Sequence, residues 1–98
     1  MNFDAFRDSL KCDLPPEGID SALAGLWWDA KGEWTKAHEA VQDDESQEAS
    51  WVHAYLHRKE GDGENAAYWY GRAKTRPAEN SLDEEWAAIA RSLLEQQA

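Results

Sequence analysis

The sequence predicts an all-α fold of about six helices, and three observations predict it. Apolar residues recur at helical spacing in one segment after another. Caps, turn glycines and prolines separate those segments, and valine, isoleucine and threonine are too scarce to build strands. A chain of 98 residues has room for one core, so residues 1–98 are expected to form a single domain.

The elements follow in order. Residues 2–11 read as a short helix capped by Asn2, with Phe3, Phe6 and Leu10 on one side, and residues 1–14 form an N-terminal cap to the array. Pro15 and Pro16 break the chain. A second helix is expected from about Glu17 to Lys31, left at Gly32. Ile19, Ala22, Leu23, Leu26, Trp27 and Ala30 share one side of it, with Ala24 and Trp28 opposite, the pattern of a helix held between neighbours. The third helix carries Trp34, Ala37 and Val41, with His38 at its edge.

Asp43, Asp44 and Glu45 close that helix, and Asp44 or Ser46 caps a fourth over Gln47 to Glu60. Its Trp51, Val52, Tyr55 and Leu56 are expected in the core, which places His53 and His57 on the far side. Gly61-Asp62-Gly63 turns the chain into a fifth helix, about Glu64 to Lys74, with Ala66, Trp69, Tyr70 and Ala73 aligned and Tyr68 opposite. Pro77 is expected to stop it. Residues 81–98 form a C-terminal capping helix opened by Ser81-Leu82-Asp83-Glu84, a capping box, with Leu82, Trp86, Ile89, Ala90 and Leu93 as its stripe.

Residues 17–78 carry a shared helix-turn-helix pattern. Gly25, Trp28, Gly32, Trp34 and Ala37 give a small residue, an aromatic, a turn glycine, an aromatic and a small residue; Gly61, Ala66, Tyr70, Ala73 and Pro77 give the later half again, preceded by Ala54 and His57. This resembles the tetratricopeptide repeat and its Sel1-like relative. The resemblance implies two antiparallel hairpins stacked as a short right-handed array, in which small residues admit close helix approach and aromatics fill the gaps. The turn glycines stand 29 residues apart, against ~34 in tetratricopeptide repeats. The peptide-clamping lysine and asparagine positions of that family have no counterparts here. Gly25 to Ala37 and Trp51 to Tyr70 are also similar to a small group of bacterial proteins of this type, which implies no substrate and no catalytic residue.

Charge narrows the function classes. A formal charge of −10 disfavours nucleic acid and anionic membrane as partners. No stretch reads as a membrane span or signal peptide, so a cytoplasmic location is expected. Five of the ten bases fall between Arg58 and Arg76, forming one less acidic corner, in which Arg58 and Arg72 are expected to approach each other across the turn. Cys12 is expected as a half-buried small hydrophobe rather than a nucleophile, and Glu84 and Glu85 as ordinary helix-start charges. No phosphate-cradling loop and no H-E-x-x-H motif is present.

These readings lead to a non-enzymatic adaptor, with no cofactor, that binds a peptide or protein through a concave aromatic and basic surface of Trp28, His53, His57, Arg58, Tyr68 and Arg72. The alternative is a small-ligand or metal-binding helical protein that uses the His53/His57 side. Two histidines four apart present both imidazoles from one helix face, as two ligands of a divalent ion do. A third ligand is missing locally; His38 or Glu60 supplies one if the fold brings it there.

Overall fold

The structure is a computed structural model that describes residues 1–96. Among them are six α-helices and no strand: α1 Phe3–Asp8, α2 Ser21–Ala30, α3 Trp34–Val41, α4 Gln47–Glu60, α5 Gly63–Arg72 and α6 Leu82–Gln96, with a 3-10 turn at Ser9–Lys11 after α1. Residues 97 and 98 of the expected last helix lie outside the described residues. Among the described residues no helix is long and apolar enough to cross a membrane. The Cα radius of gyration is 12.2 Å, close to the ~13 Å of one compact domain of this length.

Short turns force consecutive helices back on each other, so α2 packs on α3 and α4 on α5. α4 is the hub: it also packs against α2, α3 and α6, while α1 rests on α6. Phe6, Leu23, Leu26, Trp27, Val41, Val52, Leu56 and Ile89 fill the main core. Ala54, Ala66 and Tyr70 form a smaller cluster between α4 and α5. Two tryptophans latch this core at its edges through hydrogen bonds to buried carbonyls. Trp34 Nε1 donates to Leu56 O at 2.9 Å and Trp86 Nε1 to Leu26 O at 2.9 Å. An indole at the rim of a core excludes water and satisfies an acceptor at once.

Gly25 explains how three helices meet. A Cβ built there would lie 2.8 Å from Val41 Cγ1 and 3.0 Å from Val52 Cγ1, so only hydrogen fits between α2, α3 and α4. At the far end of α4, Gly61 takes φ 90° and lets Asp62 N bond His57 O at 2.9 Å, which terminates the helix. Asn2, Ser46 and Ser81 cap α1, α4 and α6 as expected, the last with Glu84 reciprocating.

Several expectations are corrected. α2 starts at Ser21, not near Glu17, because Asp20 is extended and its carboxylate caps Leu23 N at 3.0 Å. α5 ends at Arg72, well before Pro77, where Lys74 takes φ 58° and Thr75 N bonds Tyr70 O. Cys12 is exposed rather than half-buried. Glu85 is not a solvated helix-start charge: it is buried and accepts from Arg58 Nη1 at 2.8 Å and from the Tyr70 hydroxyl at 2.6 Å. Burial and the neighbouring carboxylate push the Tyr70 hydroxyl above its ordinary pKa. Asp29 is likewise buried in α2, holding the Tyr55 hydroxyl and Lys59 Nζ.

Candidate metal centre

The expected outward face of α4 is an inward one. His53 and His57 are 4% and 6% exposed, because α3 and α5 cover the side of α4 that the core residues leave. One helical turn apart, their rings stack with centroids 4.9 Å apart and planes inclined 25°. α3 then delivers the third imidazole. Trp34 anchors the start of α3 to α4 through its bond to Leu56 O, and His38, one turn later, stacks on the Trp34 ring at 5.1 Å and 10°.

The result is a three-histidine cluster. His38 Nε2 and His53 Nε2 are 3.0 Å apart, and ligand atoms of His38, His53 and His57 all lie within 4.8 Å of one another. Trp69 of α5 covers a face of the His53 ring, 3.9 Å from it and inclined 12°. His57 Nδ1 meets Glu60 Oε2 at 2.5 Å. A second group, His57 with Glu60 and Asp62, shares the His57 ring, but the Asp62 carboxylate already caps α5 by accepting from Asn65 N at 3.1 Å.

Electrostatics favour the form that carries lone pairs. Burial, then the neighbouring His38 and His57, pull the His53 pKa down to about 4. Burial and His57 also lower that of His38, against the opposing pull of Glu60 and Glu39. Both rings are therefore neutral at pH 7, as metal ligands must be. His53 Nδ1 is buried with no hydrogen-bond partner, the one such side-chain atom among the described residues. Two nitrogens on a tetrahedral ion with bonds of ~2.0–2.1 Å stand about 3.3 Å apart, so the His38–His53 pair is near ligand spacing, though without an ion their 3.0 Å contact is a hydrogen bond whose proton an incoming ion must displace by a change of tautomer. The His57 ligand atom lies within 4.8 Å of both, so completing a triangle of that size takes a closure of about 1.5 Å at most.

Of the other expected site residues, Tyr68 and Arg72 sit beside the cluster against Trp69, while Arg58 and Trp28 are engaged elsewhere. Arg58 and Arg72 have different partners rather than each other: Arg58 is held by Glu85 and the Asn80 carbonyl of the α6 entry, while Arg72 Nη1 bonds the Tyr68 hydroxyl at 3.1 Å and lies over Trp69. Like charges on one helix pair thus each find a local acceptor or ring. Trp28 is half-buried, edge-on to Trp27, with Lys36 Nζ 4.4 Å above its ring. Tyr68 is 55% exposed and no terminal helix covers it. His53 and His57 thus converge with His38, Tyr68 and Arg72 adjoin them through Trp69, and Arg58 and Trp28 have other partners.

Spacing alone contained part of this cluster. Trp34 and His38, like His53 and His57, are four apart on a helix, and Glu60 follows His57 by three. What spacing could not convey is that α3 and α5 wall the α4 histidines on both sides. No family model, no curated protein and no solved structure matches the chain, so the site is judged on its geometry.

Proposed function

We propose that this protein binds a divalent late transition metal, zinc foremost, through His38, His53 and His57. The observation that carries the reading is the convergence of three imidazoles from two helices, with ligand atoms within 4.8 Å and two of them 3.0 Å apart. Imidazole donors suit zinc, copper, nickel and cobalt, and offer little to calcium or magnesium, which take oxygen ligands. The carboxylate of Glu60 on His57 Nδ1 supports the same reading, since it fixes the tautomer that leaves Nε2 free to ligate.

Calorimetric titration of the untagged chain with Zn²⁺ tests it. One ion per chain is expected, with no response to Mg²⁺ or Ca²⁺. At a free ion concentration about a hundred times Kd the fold gains about 2.7 kcal/mol, visible as a rise in melting temperature. His38→Ala should abolish the rise, and an unchanged titration in that variant rejects the site. Paramagnetic Ni²⁺ or Cu²⁺ should also quench indole fluorescence, because Trp34 and Trp69 both stack on ligand rings.

A second reading is favoured by Tyr68, more than half exposed beside Arg72 on α5. An exposed ring next to a guanidinium suits an adaptor that grips a peptide, the role implied by the likeness to tetratricopeptide and Sel1-like repeats. Tyr68→Ala with Arg72→Ala should then lower peptide capture while leaving metal affinity unchanged. Capture that is insensitive to both substitutions removes this surface from consideration.

A further inference from the structure

We infer that a metal held by His38, His53 and His57 keeps one coordination position without a protein ligand, filled by water and exchangeable for a small anion. This inference rests on the metal-binding reading above and adds to it what the ion can still take. The ligand atoms of the three histidines form one group, whereas Glu60 and Asp62 group with His57 and not with all three imidazoles. Neither carboxylate is idle. Glu60 is bonded to His57 Nδ1 at 2.5 Å, and Asp62 holds the first turn of α5. A tetrahedral ion therefore finds three nitrogens and lacks a fourth protein donor.

Among the described residues no other carboxylate, histidine or cysteine groups with the three imidazoles; Glu39, whose charge reaches His38, is exposed on α3 and stands outside the group. The indoles that face the cluster are Trp34, against His38 and His57, and Trp69, against His53, and an indole is a donor with no lone pair to give a cation. Solvent can supply the fourth ligand: His38 is half-buried and the Glu60 side chain is 39% exposed, so the α3 side of the cluster is not sealed. Structural zinc sites are closed by four protein ligands, and sites with three plus water bind and activate exogenous ligands. The charge of −10 on the chain limits the guest to a small anion, because a large polyanion meets repulsion over a wider area.

The test loads the full chain with Co²⁺, follows its visible absorption and adds azide. Bands on loading and a saturable change with azide are expected, both in the wild type and in Glu60→Gln. That variant should lower Co²⁺ affinity by about 10–100-fold through loss of the His57 orienting bond, while the azide response persists. Bands that azide leaves unchanged overturn this inference and leave metal binding standing. An azide response seen in Glu60→Gln but not in the wild type also overturns it, since Glu60 is then the fourth ligand. Absence of any bands overturns the metal-binding reading and this one with it.

Discussion

The indole of Trp69 lies flat on the imidazole of His53, centroids 3.9 Å apart and planes 12° from parallel. α5 contributes few core side chains, so this ring is its main hold on the histidine cluster. Trp69→Ala should expose His53 to water and raise its pKa from about 4 toward the ordinary 6.5, a change read from the imidazole resonances in a pH titration. A His53 pKa that stays near 4 would assign the shift to His38 and His57 instead of burial.

Acid should weaken the fold before the carboxylates titrate. The His53 pKa is depressed in the folded chain, so the unfolded chain binds the proton first as pH falls. Stability is therefore full above about pH 6.5 and declines toward pH 4, by up to about 3 kcal/mol from this group alone. His38 adds in the same direction. Urea midpoints between pH 7 and 4.5 should fall in the wild type and much less in His53→Gln; parallel slopes for the two would show that the loss arises elsewhere.

Gly25→Ala sets two effects against each other. Alanine gains about 1 kcal/mol of helix propensity, but its methyl would meet Val41 and Val52 at 2.8 and 3.0 Å, and overpacking of that kind costs about 1–3 kcal/mol. Net destabilisation of about 1 kcal/mol is expected in denaturant melts. Adding Val41→Ala should make the glycine replacement less harmful than it is alone, whereas independent, additive effects would place the crowding somewhere else.

Glu85→Ala should be among the most damaging single changes in α6. It takes the carboxylate from the partly exposed Arg58 guanidinium, which keeps the Asn80 carbonyl, and leaves the buried Tyr70 hydroxyl without that acceptor, at a cost of about 2 kcal/mol. Its neighbour Glu84, which is exposed and caps Ser81, should matter less. Replacing the pair by Arg58→Met and Glu85→Leu should recover most of the loss. Failure to recover would mean that the Tyr70 bond to Glu85, not the ion pair, holds α6 in place.

Legibility in the sequence divides along physical lines. α4 was placed at its observed ends because Ser46 and Gly61 are local signals, each decided within a few residues. Trp34 was read as a gap-filler and does pack on the core, though half-buried at its rim and tied by a hydrogen bond. A helix wheel finds one apolar face and so puts His53 and His57 outside, while α4 is surrounded and buries polar rings on its other face. Glu85 and Asp29 escaped for a similar reason. Both lie on the buried stripes of their helices, three residues after Leu82 and Leu26, but a carboxylate at such a position announces its buried partner only when Arg58 or Tyr55 arrives from another helix.

The placement of α6 decides whether another hairpin could be packed directly on α5. Trp86 plugs the end of α2 through the Leu26 carbonyl, and Glu85 binds both members of the α4/α5 hairpin. Helix pairs that stack end on end leave a free face for the next pair, so they can be added or excised like bricks. Here that face is occupied by side chains that need their particular partners. Splicing a further hairpin after α5 would have to evict α6 first, and cutting the chain near residue 80 would leave Arg58 and Tyr70 facing water.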